Sequence, residues 1–407
     1  MEEKLSSING IDKTKKVLTT LFFIVFADML GFGLIIPLLP YYAKEFGAKD
    51  IVIGFLSMIY PLGQIFASPL IGRMSDKFGR KIALLLSVGG TFLSLLLLGF
   101  AKSLTLIFIS RLLDGLTGGN ITVAQSYISD FTDKKSRAKS LGLIGAAFGL
   151  GFILGPAIGG FLSRWGFHVP AFFAAGLSFV NLLNIIFLLP DSKPVEDAKR
   201  VPFTFEEMKK TISRPVVFYL LLTKFFYSFG FTTFESTFAL FALRRLNLPL
   251  SQTSFVLAYV GILIAFTQGF LVGKITKKYK EDDIIKSLIF VVVPFLILYS
   301  FSANLITLIL LLTPLSVISG LIGVSVNSIA TKTVERDRLG GTLGIFNSVD
   351  SLTRIISPLF GALIIQYIGP KYLGLFIGTS LLISSFIFFF LFAPNYETYQ
   401  KSENYAV

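Results

Sequence analysis

Seven charged residues interrupt stretches of sequence that are otherwise apolar enough to cross a membrane. An unpaired charge at the centre of a bilayer costs about 3 kcal/mol or more, so charged residues at that depth usually have a function. The chemistry open to them is the uptake and release of a proton, ion pairing, and recognition of a charged ligand. They are the acids Asp28, Asp114, Glu235 and Asp350 and the bases Arg111, Lys224 and Arg354.

Spacing along the helices predicts partners for some of these charges. Asp350 and Arg354 are four residues apart, which places them on one helix face, and we expect an ion pair within that helix. Arg111 and Asp114 are three residues apart and can pair in the same way. Lys224 lies deep in its helix, where it is a candidate partner for an acid on another helix or for an anionic ligand.

Asp28 and Glu235 differ because neither has a base three or four residues away in its own helix. A carboxyl group without a partner in an apolar environment favours its neutral form, and it can release the proton when water or a cation arrives. The alternative is permanent neutralisation by a base on another helix. We therefore predict that Asp28 and Glu235 bind protons, with Asp28 the leading candidate.

Composition identifies the environment of these charges. The 407 residues are 53% hydrophobic and only 15% charged, with a mean hydropathy of +0.75, whereas a soluble domain is about 25% charged. The chain is therefore an all-α membrane protein. It contains no cysteine and one histidine, His168, which excludes disulfides, thiol chemistry and a histidine metal cage, so we expect no metal site.

Apolar runs bounded by charged residues predict about twelve transmembrane helices of about 20 residues or more. They lie near 17–40, 51–72, 82–101, 103–129, 138–163, 167–189, 215–243, 251–272, 285–302, 304–331, 339–367 and 370–392.

The basic residues indicate how the chain is oriented. If the N-terminus is cytoplasmic, most of the 37 Lys and Arg residues fall in loops on the cytoplasmic side, as the positive-inside rule requires. We expect a multi-pass protein of the cytoplasmic membrane with both termini in the cytoplasm. Because the basic residues form short runs between spans and not one face, the formal charge of +13 does not indicate nucleic-acid binding.

The chain divides at its midpoint into two related halves. A polar, proline-containing linker at 190–214 separates predicted six-helix bundles at 1–189 and 215–407. At an offset of 202 residues, the fourth and fifth helices of the halves keep one register. Two pseudo-symmetric bundles are the architecture of a secondary transporter. The matched residues are Ser126 with Ser328, Leu141 and Gly142 with Leu343 and Gly344, Pro156 with Pro358, and Gly159 with Gly361.

The loop after the second helix, "GRMSDKFGRK", contains Gly72, Asp76, Gly79, Arg80 and Lys81. A glycine permits close helix approach, the acid can meet a helix N-terminus, and the bases lie where cytoplasmic cations belong. A basic loop that only fixes orientation is the simpler alternative. The pattern resembles the loop signature of the major facilitator superfamily, which implies the major facilitator fold and a role for these residues in the conformational gate.

Four further stretches resemble the drug:proton antiporters of that superfamily, especially the tetracycline and quinolone exporters. "FADMLGFGLIIPLLP" is similar to their first helix, with Asp28 at the membrane acid, and "SRLLDGLTGGN" to their fourth-helix signature, built on Arg111. That signature usually has an uncharged residue where this chain has Asp114. "SFGFTTFESTFALF" is similar to the seventh helix of quinolone exporters, with Glu235 at the cavity carboxylate. The resemblance implies proton coupling through Asp28, Glu235, Asp114 and Arg111.

The stretch "GFILGPAIGG" resembles the fifth-helix signature that tends to accompany export. Its glycines Gly151, Gly155 and Gly159 are four residues apart, which lines them up for close helix contact, and Pro156 favours a kink. Gly145 and Gly149 share this spacing. Ordinary packing explains the pattern, and we further predict that this contact opens and closes as part of the gate.

Polar side chains inside spans are candidates to line a substrate pocket together with Glu235. Each one serves equally well as an interhelical hydrogen bond. They are Gln64, Asn120, Gln125, Gln268, Asn327 and Asn347.

The resemblance implies a proton-coupled exporter of small amphipathic drugs or metabolites that works by alternating access. We expect H⁺ as the coupling ion, no other cofactor, a small-molecule substrate, the lipid bilayer as surroundings, and a monomer. A symporter that imports a metabolite is the main alternative, and a lipid flippase or a sensor remains open. The sequence contains no GxxxxGK[ST], HExxH or GxSxG motif, which argues against nucleotide hydrolysis and an intramembrane enzyme.

Overall fold

A computed structural model describes residues 2–132, 134–191, 205–332, 339–396 and 398 of the chain. Across these ranges the chain forms sixteen α-helices and no strand. Helices dominate because a segment that crosses a bilayer must satisfy its own backbone hydrogen bonds. In chain order they are α1 Glu2–Glu45, α2 Asp50–Phe78, α3 Arg80–Gly99, α4 Leu104–Thr117, α5 Asn120–Phe131, α6 Lys134–Leu162, α7 His168–Leu188, α8 Phe205–Ile212, α9 Pro215–Leu246, α10 Leu250–Phe266, α11 Val272–Ile275, α12 Glu281–Leu288, α13 Val292–Leu298, α14 Leu305–Lys332, α15 Leu339–Leu363 and α16 Leu373–Phe386.

Eleven stretches of the described chain are long and apolar enough to cross a membrane, some of them joining consecutive helices. They agree with eleven of the predicted spans to within six residues at each end, and the twelfth corresponds to α4 and α5 together. The chain is a multi-pass membrane protein, and the twelve-helix, two-bundle prediction fits it. The eleven are Lys16–Glu45, Asp50–Phe78, Arg80–Gly99, Gly142–Trp165, His168–Leu188, Pro215–Leu246, Leu250–Ile275, Glu281–Phe301, Leu305–Val326, Gly344–Ile368 and Pro370–Tyr396.

The prediction of one continuous helix over 103–129 is wrong. Gly118 (ψ 86°) and Gly119 (φ −141°) leave the helical region and separate α4 from α5. Side chains satisfy the backbone groups that the break frees: the Ser68 hydroxyl donates to the Gly118 carbonyl at 3.1 Å, and the Gly119 N–H donates to the Ser87 hydroxyl at 3.1 Å. A Cβ at Gly119 would lie 2.8 Å from the Ile71 side chain, so α2 approaches the break closely.

The chain forms two compact units. The first unit contains Met1–Lys199 and Pro249–Ala258, and the second contains Arg200–Leu248 and Tyr259–Val407. Most of the predicted linker at 190–214 lies outside the described residues, so the predicted domain boundaries stay a prediction.

In the first unit, α6 packs against α1 through glycines. A Cβ at Gly151 would lie 2.7 Å from the Leu30 nitrogen, and one at Gly155 would lie 2.6 Å from the Leu30 carbonyl oxygen. Gly159 faces Leu34 one turn further along α1. The predicted close contact is confirmed for these three glycines. It does not extend to Gly145 and Gly149, because a Cβ at either would meet nothing within 4 Å.

In the second unit, one glycine of α15 packs against α9 at the position that matches Gly159 of α6. A Cβ at Gly361 would lie 2.5 Å from the Thr237 side chain of α9. In the first unit, Gly159 likewise faces Leu34 of α1. At the offset of 202, Gly361 corresponds to Gly159. Leu34 corresponds to position 236, which is next to Thr237 in the sequence. The repeat therefore extends to the first helix of each half.

Candidate functional site

A small cavity in the first unit lies beside the break between α4 and α5. Its volume of about 20 Å³ is enough for a water molecule but not for a drug-sized ligand. Side chains from α1, α2, α3, α4, α5 and α7 reach it, and the charged or amide-bearing ones are Asp28, Arg111, Asp114 and Asn120. Three of the four residues predicted for proton coupling thus line one cavity.

Arg111 and Asp114 form the ion pair that their spacing predicts. The Arg111 guanidinium donates to an Asp114 carboxylate oxygen at 3.1 Å and to the Ser94 hydroxyl at 3.2 Å, and both charged residues are buried, with 3% and 6% of their surface exposed. Thr91 also hydrogen-bonds the Asp114 carboxylate. Within the described chain the Arg111 Nε–H finds no hydrogen-bond partner, so the guanidinium keeps one donor unused.

Asp28 is held by an amide and not by a base. The Asn120 side chain hydrogen-bonds the Asp28 carboxylate, while the Asn120 carbonyl oxygen accepts from the Ile121 N–H at 3.0 Å. The second bond fixes the amide at the first turn of α5. In the part of the chain that the structure describes, no base lies within ion-pair distance of Asp28, and the negative charge of Asp114 repels it.

The cavity therefore contains two carboxyl groups and one guanidinium. When both acids are ionised, the cluster has one net negative charge in an apolar bundle, and burial makes an uncompensated charge costly. One proton on Asp28 would make the cluster neutral. The described residues offer no group of three or more His, Cys, Asp or Glu side chains that could hold a metal ion.

Asp28 also lies next to the contact between α1 and α6. Met29 and Leu30, the two residues that follow it, are among the α1 residues that approach Gly151 and Gly155. A change at the carboxyl group is therefore within one helical turn of the packed glycines.

The second unit arranges its charges differently. The Lys224 ammonium lies 2.9 Å from one Asp350 carboxylate oxygen, and the Ser228 hydroxyl donates to the other at 2.9 Å. The predicted pair of Asp350 with Arg354 is wrong, because the parallel packing of α9 on α15 brings Lys224 to Asp350. Arg354 instead attracts Glu235 electrostatically. The prediction that Lys224 meets an acid of another helix is confirmed.

The loop "GRMSDKFGRK" forms an ion-pair cluster at one end of the first unit. Arg80 is buried and pairs with Asp76 on α2 and, at 2.8 Å, with Asp130 on α5. Lys81 pairs with Asp191 at 3.3 Å. Gly79 has φ +94°, a left-handed conformation that favours glycine and lets α3 begin at Arg80. Asp76 thus meets a guanidinium at the start of α3. At Gly72, an added Cβ would meet no other atom within 4 Å.

The remaining pocket candidates are distributed unevenly. Asn120 lines the cavity, and Gln64 is next to it, since its amide donates to the hydroxyl of Tyr60, a lining residue, at 3.2 Å. The side chain of Asn327 lies outside the described residues, so that candidate stays a prediction. The other three candidates are at exposed positions of their helices: Gln125, Gln268 and Asn347.

Sequence reasoning missed the polar residues of α3 that support the site. Ser87, Thr91 and Ser94 follow at intervals of four and three residues, so they share one helix face. Ser87 binds the α4–α5 break, Thr91 binds Asp114, and Ser94 binds Arg111. This polar stripe in an apolar helix was the available signal.

Comparisons with known proteins add to this geometry. The chain matches the Major Facilitator Superfamily over residues 21–286 and 284–405. It is 35% identical to the class B tetracycline resistance protein of Escherichia coli over 67% of this chain and 68% of that protein. It is 27% identical to the quinolone resistance protein NorA of Staphylococcus aureus, over 90% of this chain and 94% of that protein.

Solved structures show the same fold at lower identity. The human organic anion transporter MFSD10 superimposes with a TM-score of 0.68 at 21% identity, covering 92% of this chain and 99% of that one. An inward-facing bacterial homologue of the human lysosomal transporter Spinster gives a TM-score of 0.74 at 16% identity, covering 94% and 96%.

Proposed function

Because the chain belongs to the Major Facilitator Superfamily and is therefore a transporter and not an enzyme, we propose that it exports small amphipathic drugs or metabolites in exchange for protons. Its relatives, which include tetracycline and quinolone resistance proteins, support a drug-like cargo. The proposal includes the cytoplasmic membrane as location, both termini in the cytoplasm, and a monomer. H⁺ is the coupling ion, with no other cofactor and no nucleic-acid partner.

The observation that carries the proposal is the net charge of the first unit's cavity. Asp28, Asp114 and Arg111 together have one negative charge too many, and the cavity admits water but not cargo. We take a proton as the coupling cation and assign it to Asp28, because that carboxylate has an amide and not a base as its partner. Asp114 and Arg111 stay paired, and the negative charge of Asp114 acts on Asp28.

Coupling follows if the neutral and ionised forms of Asp28 favour different arrangements of α1. The residues after Asp28 contact the glycines of α6, so loss of the proton changes the electrostatics one turn from a tight helix contact. The unused Arg111 donor is the group that an ionised Asp28 would approach. Two such states are what alternating access by two bundles requires.

Glu235 is assigned to the cargo in this proposal. It lies in the second unit, where the positive charge of Arg354 attracts its carboxylate. Arg80 and its two acids form the cytoplasmic part of the gate, together with Gly72, Gly79 and Lys81.

Transport by the purified protein in liposomes tests the proposal. We expect a quinolone to accumulate in liposomes with an acidic interior, above protein-free liposomes, which correct for passive trapping of weak bases. Asp28→Asn should reduce accumulation to the protein-free level, whereas Asp283→Asn, which alters an exposed acid of α12, should not change it. Accumulation only with an acidic exterior would mean symport, and unchanged accumulation by Asp28→Asn would remove the proton site.

A further inference from the structure

The ion pair of Lys224 and Asp350 is unequally covered. The Lys224 side chain is 6% exposed and has the Phe346 ring 5.5 Å from its ammonium, whereas the Asp350 side chain is 38% exposed. An accessible carboxylate inside a membrane-spanning helix normally faces water or a ligand, because lipid does not solvate it. Lys224 is therefore the buried member of the pair, and Asp350 is the accessible one.

The fold does not require charges at these positions. At the offset of 202, the first unit has Phe22 in place of Lys224 and Phe148 in place of Asp350. Both phenylalanines pack against the apolar core of that unit. The neighbouring polar residues Ser228 and Arg354 likewise correspond to phenylalanines, at 26 and 152.

Other contacts also hold α9 against α15. The Ser357 hydroxyl donates to the Phe229 carbonyl at 3.2 Å, and Gly361 packs on Thr233 and Thr237 further along the same contact. Replacing a buried ion pair by apolar residues is often neutral or stabilising, so the pair is not explained by stability alone.

Charge balance identifies the ligand that this pair can accept. A ligand with only one charge that separated the pair could neutralise Lys224 or Asp350 but not both. The other residue would then lose its ionic partner. A ligand with one anionic and one cationic group can insert between them, so that each protein charge exchanges one opposite partner for another. The total charge then stays zero, and no ion remains uncompensated in the bundle.

We propose that Lys224 and Asp350 form a binding site for zwitterionic cargo, with the cargo's carboxylate or enolate at Lys224 and its ammonium at Asp350. This inference rests on the proposed export function and names the cargo class that the second unit recognises. Ser228 and Phe346 position the two protein charges.

A matched pair of drugs tests the inference. A fluoroquinolone with a basic amine is zwitterionic, and its methyl ester keeps the amine but has no carboxylate. The measured quantity is the ratio of their initial rates of export into acid-loaded liposomes, corrected with protein-free liposomes. We expect Lys224→Met to lower the zwitterion-to-ester ratio about tenfold, the effect of one lost charge-assisted hydrogen bond.

Two further variants separate recognition from folding. Lys224→Met with Asp350→Asn leaves no unpaired charge, and we expect the same fall in the ratio. Lys274→Met removes an exposed lysine of α11 and should leave the ratio unchanged. As a second measurement, the zwitterion should raise the unfolding temperature of the purified unaltered protein more than that of the double variant.

The outcomes are distinguishable. If the unaltered protein exports neither compound, the proposed function fails. If it exports both, but the ratio and the thermal shift are the same in the double variant, the proposed function stands and the zwitterion site is overturned. A fall of similar size in Lys274→Met would also overturn it, since the effect would then not belong to the pair.

Discussion

The two units use the same helix packing but differ in where they place charge. The first unit has Asp28, Asp114 and Arg111 around a water-sized cavity, with one net negative charge. At the offset of 202, the second unit has uncharged residues there: Gly230, Ser316, Thr313 and, for Asn120, Ile322.

At the contact between the first and fifth helices of each half, the charges are in the second unit and not in the first. At this contact the second unit has the ion pair of Lys224 and Asp350 with Ser228 beside it, whereas the first unit has phenylalanine at each corresponding position. The difference shows that the fold accepts either chemistry at both places. We therefore propose that the charges serve ligands: an unbalanced cluster suits a proton, and a balanced ion pair suits a neutral dipolar cargo.

The two halves also differ in the backbone of their fourth helix. The fourth helix of the first half is broken at Gly118 and Gly119, next to the cavity, while α14, its counterpart, runs without a break over Leu305–Lys332. Broken helices in transporters present backbone groups at ion and substrate sites. The break coincides with the unit to which we assign the proton.

The largest predicted effect concerns the membrane potential. If one proton exchanges for one cargo molecule, export of a zwitterion moves one net charge, whereas export of a monocation moves none. An inside-positive potential of about 100 mV across liposomes at equal pH should then accumulate the zwitterion about fiftyfold at equilibrium.

The quinolone ester is the control for this prediction. It should show no accumulation beyond that of protein-free liposomes under the same potential. An equal response of both compounds would contradict the assignment of one proton to the first unit.

A smaller effect is expected from removing the second acid of the cavity. Asp114→Asn leaves Arg111 available to Asp28, which makes the cluster neutral without a proton. We expect accumulation driven by a pH gradient to fall about tenfold, while exchange of labelled for unlabelled drug without a gradient continues. Loss of both activities together would indicate that Asp114 only maintains the fold.

The smallest effect concerns the contact between α1 and α6. Gly155→Ala places a Cβ 2.6 Å from the Leu30 carbonyl oxygen and should destabilise the protein by about 1–3 kcal/mol through overpacking. It should also slow transport a few-fold. Gly145→Ala is the matched control because its Cβ meets nothing within 4 Å. Thermal unfolding in detergent measures both, and equal stability of the two variants would contradict the contact.

Features within one helix were predictable from the sequence. The spacing of Gly151, Gly155 and Gly159 indicated a packed face, and that of Arg111 and Asp114 indicated an ion pair, because both patterns depend only on helical periodicity. The span boundaries followed from hydropathy for the same reason.

Features that depend on contacts between distant parts of the chain were not predictable. Asp350 was matched with Arg354 in its own helix because the approach of Lys224 depends on how α9 packs on α15. The break at Gly118 and Gly119 was missed because the surrounding run is apolar throughout, and only the side chains of α2 and α3 show how the freed backbone groups are satisfied.

Proton release on cargo binding is the most direct test of the unequal charge in the two units. Purified protein in weakly buffered detergent solution should release up to about one proton per bound zwitterion, since cargo and proton favour opposite states. We predict that Asp28→Asn abolishes this release and that Glu235→Gln retains it. Release that persists in Asp28→Asn, or that disappears only in Glu235→Gln, would contradict the account.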